Sequence, residues 1–110
     1  MQRPFVHPAM ADVTLEGILY ALSDPVRLEI VRRLTAEGCP LNCQSAAPQN
    51  MAKSSVSHHY QILREAGLIR SERRGVEVVN SPRCDELGKR FPGLMKAILT
   101  SAETVAKRGK

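Results

Sequence analysis

No stretch of this 110-residue chain approaches the roughly 18 consecutive apolar residues that a membrane span needs. The opening "MQRPFVHPAM" lacks an apolar core of signal-peptide length, so export is not expected and a cytoplasmic location is. Cysteine is scarce and odd in number: Cys39, Cys43 and Cys84. Three thiols do not make a simple disulfide framework, and in a reducing compartment they rest as thiols. The chain also has no internal repeat, no low-complexity tract, no Gly-rich phosphate loop and no nucleophile elbow. An enzyme is therefore not expected, and no cofactor is implied.

What is present suits one small soluble domain, of a size that often gains stability by oligomerising. Hydrophobic residues make up 43% and charged residues 25%, a folded rather than a disordered balance. The net charge is +5 and the pI about 9.5. That excess suggests a polyanionic partner, nucleic acid ahead of a membrane surface.

Residues 1–11 carry two prolines and little periodicity and read as a flexible N-terminal arm. In "DVTLEGILYALSD", Leu15, Ile18, Leu19 and Leu22 follow helical spacing. Asp24-Pro25 restarts a helix, with Asp as N-cap and Pro at the first helical position. Val26, Ile30, Val31 and Leu34 form its apolar stripe, and Gly38 is its stop. Leu41 to Ala47 reads as a short helix ended by Pro48. The next helix starts at Lys53-Ser54, with Ser54 or Ser55 as cap, and stops at Gly67.

From Leu68 the period changes. Ile69, Ser71 and Arg73 alternate against Arg70, Glu72 and Arg74, and a β-branched run follows Gly75 up to Pro82. This reads as a two-stranded hairpin with a basic tip, leaning on the helices because a lone hairpin is marginal in water. A last helix opens near Pro92, with Leu94, Met95, Ile98, Leu99, Ala102 and Val105 on one side. The expected fold is mainly α with a small β-hairpin, a winged helix-turn-helix over residues 12–106, followed by a basic tail over 107–110.

The stretch "SSVSHHYQILREAGLI" carries the chemistry. Neighbours on a helix point about 100° apart, so His58 and His59 do not grip one metal from the same helix. No histidine three or four positions away completes such a pair, and no metal site is expected there. With Val56 set at zero on the helical wheel, Tyr60, Leu63 and His59 fall within about 60° of it and should face inward. Ser54, Ser57, His58 and Gln61 fall opposite. Short or planar hydrogen-bonding side chains of this kind can meet base edges and phosphates in a major groove. A solvated polar helix face is the plain alternative. The basic hairpin favours DNA: between Lys53 and Arg74 there are five Lys or Arg against two acids. His58 is expected to look outward to DNA, and His59 to sit partly buried at the margin.

The runs "ALSDPVRLEIVRRL" (Ala21 to Leu34) and "SSVSHHYQILREAGLIRSERRG" (Ser54 to Gly75) resemble the ArsR/SmtB family of bacterial transcriptional regulators. The first is similar to the family's "ALxDPxRLxIlxxL", the second to its "SxHLxxLxxAGLVxxxRxG", with Tyr60 where Leu is usual. The likeness covers about half the chain, in order and at the right spacing. It implies a homodimer joined through its first and last helices. It also implies a repressor whose two recognition helices read an imperfect palindrome about one helical turn apart, until a signal releases it. The residues expected at DNA are Lys53, Ser54, Ser55, Ser57, His58, His59, Gln61, Arg64, Arg70, Arg73 and Arg74.

The family's familiar metal sites do not carry over. Cys39 and Cys43 are not spaced as Cys-x-Cys, and Leu94 to Lys110 contains no His and only Glu103 as a carboxylate. Three readings of the cysteines stay open. They are small buried residues, or a redox pair formed by Cys39 and Cys43, or metal ligands with Cys84 or His7 as a third. The competing functions are a metal-responsive repressor and a winged-helix module that binds protein. The second would show no salt-dependent DNA affinity and an exposed apolar patch.

Overall fold

The computed structural model describes residues 5–36, 41–42 and 51–108. A short 3₁₀ turn at Met10–Asp12 leads into helix α1 (Leu15–Leu22) and helix α2 (Pro25–Ala36), then strand β1 (Leu41–Asn42). Helix α3 (Lys53–Glu65), strands β2 (Ile69–Arg74) and β3 (Glu77–Pro82), and helices α4 (Cys84–Arg90) and α5 (Leu94–Arg108) follow. Cys39, Cys43, the Gly38 stop and most of the expected short helix lie outside the described residues.

The helix starts follow from local chemistry. Thr14 Oγ1 accepts from the Gly17 N–H at 3.0 Å and caps α1. Asp24 Oδ1 accepts from the N–H groups of Val26 (2.8 Å) and Arg27 (3.2 Å), with Pro25 at the first helical position of α2. Burial alone would raise the Asp24 carboxyl, but those N–H bonds and the Arg27 charge hold it below its ordinary range. The expected serine cap of α3 is not formed. The helix begins at Lys53, and its cap is Ala52 in extended conformation, with no side-chain bond. Ser54 and Ser55 therefore lie inside the first turn. At the other end Gly67 has φ +84°, and a Cβ there would collide with Val13 Cγ2. Only glycine turns the chain here while letting Val13 pack against it.

The sheet is antiparallel with order β1-β3-β2. The expected hairpin is present, from Ile69 opposite Pro82 to Arg74 opposite Glu77. Gly75, at φ +62°, takes the positive φ that tight two-residue hairpin loops require at their first position. A third strand was not anticipated. Leu41 and Asn42 pair with Asn80 and Val79, so the start of the expected short helix is extended instead. Two residues are too few to show a period-2 pattern, and the pairing is made by backbone groups.

The core joins all helices to the sheet. Ile18, Ala21 and Leu22 of α1, Ile30, Val31 and Leu34 of α2, Tyr60 and Leu63 of α3, Ile69 of β2 and Leu87 of α4 are buried, together with Val13 and Leu68. Leu94, Met95, Ile98 and Leu99 of α5 pack against this cluster and are only partly covered. One polar pair is buried inside the wing: Ser71 Oγ donates to Asn80 Oδ1 at 2.6 Å, which satisfies both groups as burial demands.

The N-terminal segment, read from sequence as a loose arm, is laid against the sheet and α4 from Phe5 onward. The Ser71 N–H donates to His7 Nε2 at 2.9 Å. Arg83 Nη1 donates to Pro8 O at 2.9 Å, and Arg90 Nη1 donates to Met10 O at 2.6 Å and also to Val13 O. Carbonyls and one imidazole make these ties, so the segment needs no hydrophobic periodicity to hold them.

Candidate nucleic-acid interface

Helix α3 divides as its wheel predicts. Tyr60 and Leu63 are 1% and 0% exposed. Lys53, Ser54, Ser55, Ser57, His58 and Gln61 are exposed. Gln61 Nε2 donates to Glu65 Oε2 at 3.2 Å, one turn along the same face. The open face holds hydroxyls, an imidazole and a carboxamide, with no bulky apolar side chain among them.

The two histidines separate. The His58 residue is exposed. His59 is partly buried, and its Nδ1 lies 3.3 Å from Arg27 Nη1. A guanidinium only donates, so in this contact Nδ1 is the acceptor. His59 thus meets the Arg27 side chain on the inner side of the helix. Arg27, 7% exposed, also donates from Nε to Ala21 O at 2.6 Å and lies 5.6 Å from the Tyr20 ring centroid. It ties the end of α1 to the recognition helix. Sequence reasoning placed Arg27 only within the family-like motif and gave it no role.

The wing arginines do not share one face of the strand. Along β2, Arg73 lies on the face of Ile69 and Ser71, while Arg70 and Arg74 lie on the other. Arg70 Nη2 is 3.3 Å from Glu86 Oε1 of α4, and Arg74 Nη2 is 3.8 Å from Glu72 Oε2. Glu86 also takes Arg83 Nε at 3.0 Å and Nη2 at 3.1 Å. The Arg83 bonds are the main reason its carboxyl is held below the usual range. Arg73 meets no carboxylate among the described residues; its guanidinium carbon is 5.6 Å from the Phe5 ring centroid. Arg64, at the end of α3, is turned back onto the subunit. Its Nη1 donates to Ser71 Oγ at 3.2 Å, and its guanidinium carbon lies 4.5 Å from the same ring. Arg64 joins recognition helix to wing.

Of the cysteine candidates only Cys84 is described. The residue is exposed, yet desolvation pushes its thiol above the ordinary cysteine range, with Asp85 adding to the effect. A thiol held protonated is a poor redox centre. His7, the other candidate third ligand, spends Nε2 on Ser71. Among the described residues no three His, Cys, Asp or Glu side chains gather as a metal set.

A polar recognition helix, a basic hairpin beside it and helices packed behind define a winged helix-turn-helix regulator. A family model described as a helix-turn-helix domain matches residues 22–72. The HTH-type transcriptional regulator YceK of Bacillus subtilis (strain 168) is 34% identical over 82 residues, which cover 74% of this chain and 82% of that protein. An ArsR family transcriptional regulator of known crystal structure superposes with TM-score 0.61 at 26% identity, over 84% of this chain and 96% of that one. An ArsR-like regulator from Rhodococcus sp. RHA1 gives TM-score 0.56 at 25% identity, over 84% and 87%. The chain belongs to the ArsR-like winged helix-turn-helix transcriptional regulators, and its fold and family are those of DNA-binding proteins.

Proposed function

We propose that this protein is a homodimeric repressor that reads an imperfect palindrome with the open face of α3. The observation that carries the reading is the exposed row Lys53, Ser54, Ser57, His58 and Gln61, backed by buried Tyr60 and Leu63 and flanked by a basic wing. His58 and Gln61 meet base edges in the major groove. Lys53, Ser54, Ser55, Ser57, Arg73 and Arg74 meet the backbone or an adjacent minor groove. Arg64 and His59 support the helix from behind, and Arg70 acts within the wing through Glu86.

A second copy is the partner for the first and last helices. Leu15, Leu19 and Tyr20 of α1 are 43%, 49% and 66% exposed, and Val105 of α5 is 69% exposed. Between α2 and α5 runs an open groove of about 610 Å³, lined largely by Leu28, Ala97, Ile98, Ala102 and Val105, with the Glu29–Arg32 ion pair also in its lining. Apolar area of this kind suits an interface between identical subunits.

Thiol oxidation at Cys39 and Cys43 is the proposed releasing signal. Leu41 and Asn42, between the two cysteines in sequence, are paired with β3 of the wing. A disulfide across these two residues would constrain the segment that pairs with β3, which gives oxidation a route to the wing.

Fluorescence anisotropy with duplex DNA from upstream of the gene tests both parts. Tight binding lost with peroxide and restored by dithiothreitol is expected, and Cys39→Ser should remove the response. Binding indifferent to oxidation would remove the thiol signal and keep the regulator. No binding in either state would favour a protein-interaction module instead.

A further inference from the structure

The N-terminal segment occupies a place that DNA recognition by helix and wing does not call for. Strand β2 is an edge of the sheet; among the described strands it pairs with β3. An open edge exposes backbone groups. The arm covers this one: the Ser71 N–H on the free side of β2 donates to His7 Nε2 at 2.9 Å. Two residues earlier, the Phe5 ring is approached by two cations, 4.5 Å from the Arg64 guanidinium carbon and 5.6 Å from that of Arg73.

The two arginines differ. Arg64 is fixed by its bond to Ser71 Oγ. Arg73, near the wing tip, meets no carboxylate among the described residues and lies instead over the Phe5 ring. A long side chain loses rotamer freedom when it grips a phosphate. A cation–π contact with a ring removes part of that freedom beforehand. It uses no hydrogen-bond donor, so the N–H groups are left for an oxyanion. Two guanidiniums held on one ring also repel each other, and an arriving phosphate relieves that repulsion.

We propose that the arm is a third element of the nucleic-acid interface: Phe5 is a positioning residue that holds Arg73 ready for a backbone phosphate, and His7 is the pin that keeps Phe5 in place. This rests on the DNA reading of α3 and the wing, and adds to it a residue that contacts no base. His7 serves as a pin only while Nε2 is unprotonated and can accept. Its surroundings favour that state. Burial, then Arg70 of β2, Arg83 before α4 and Arg64 of α3 all lower its pKa, against Glu72 of β2, which raises it.

The test is a mutant cycle read by DNA anisotropy on the upstream duplex and on a random duplex. Phe5→Ala should weaken binding to both about two- to ten-fold, the range expected for loss of a cation–π contact. Phe5→Trp should bind as the parent does. In an Arg73→Ala background Phe5→Ala should have no further effect. His7→Leu should behave as Phe5→Ala, and His7→Gln, which keeps an acceptor, as the parent. The Arg73 Nε–Hε signal in NMR should move on Phe5→Ala, which reads the contact without DNA. Equal binding by Phe5→Ala and the parent would overturn the proposal and leave the DNA reading standing. So would tighter binding, which would mean the ring shields Arg73, and so would a loss that persists undiminished without Arg73. A parent protein that binds neither duplex would overturn both readings together.

Discussion

Two surfaces of this molecule are exposed for opposite reasons. The outer face of α3 is polar and the wing beside it basic, and water solvates both without a partner. The outer faces of α1 and α5 carry Leu15, Leu19, Tyr20 and Val105, apolar side chains between 43% and 69% exposed. The first surface suits a partner that is charged, exchangeable and sensitive to salt. The second suits a partner held by buried area and indifferent to salt. A regulator needs both kinds: a grip that can be released and a frame that stays together.

The largest expected effect tests whether the inner face of α3 is what makes its outer face usable. Tyr60→Ala should cost about 3–5 kcal/mol in urea denaturation, while Ser57→Ala on the opposite face should stay within about 0.5 kcal/mol. Next comes the apolar surface. Leu19→Glu would bury a carboxylate in the proposed subunit interface, and should raise the dimer dissociation constant by about 100-fold or more in sedimentation equilibrium. An unchanged association would move the interface elsewhere.

Within the polar surface, the helix and the wing should separate. His58→Ala or Gln61→Ala should lose about 1–3 kcal/mol on the cognate site and little on random DNA. Arg73→Ala should weaken every sequence alike and flatten the salt slope by about one unit. Equal losses from both kinds of change on both duplexes would merge the two roles.

The smallest effect concerns the arm. The folded His7 pKa lies below its ordinary value, so the unfolded chain binds more protons in that range. The stability from the Ser71–His7 bond is then fully present above the ordinary histidine range and is lost as pH falls through and below it. That portion of the pH dependence should vanish in His7→Gln, whose amide does not titrate.

The features legible in sequence were those written in periodicity and capping chemistry. Leu15 to Leu22, Asp24-Pro25 and the inward trio Val56, Tyr60 and Leu63 announced α1, α2 and the orientation of α3. The Gly75 turn with alternation on either side announced the wing. Features made by backbone or by single polar contacts stayed hidden. Strand β1 is two residues long, and α4 is a seven-residue helix, Cys84–Arg90, interrupted by a glycine. At the site, the exposed row of α3 followed from the wheel. The partners of His59, Arg64 and Arg70 did not, because each lies on another element: Arg27 on α2, Ser71 on β2 with Phe5 of the arm, and Glu86 on α4. The strand alternation that puts Arg73 opposite Arg70 and Arg74 was already legible in the sequence.

The most direct measurement of the central claim follows DNA binding and self-association of the same sample across a series of salt concentrations. If α3 and the wing form the nucleic-acid interface while α1 and α5 form the frame, log affinity for the cognate duplex falls steeply with log salt. The dimer dissociation constant then stays level or tightens. A flat salt dependence for DNA, with no preference for the cognate duplex over a random one, would contradict the account.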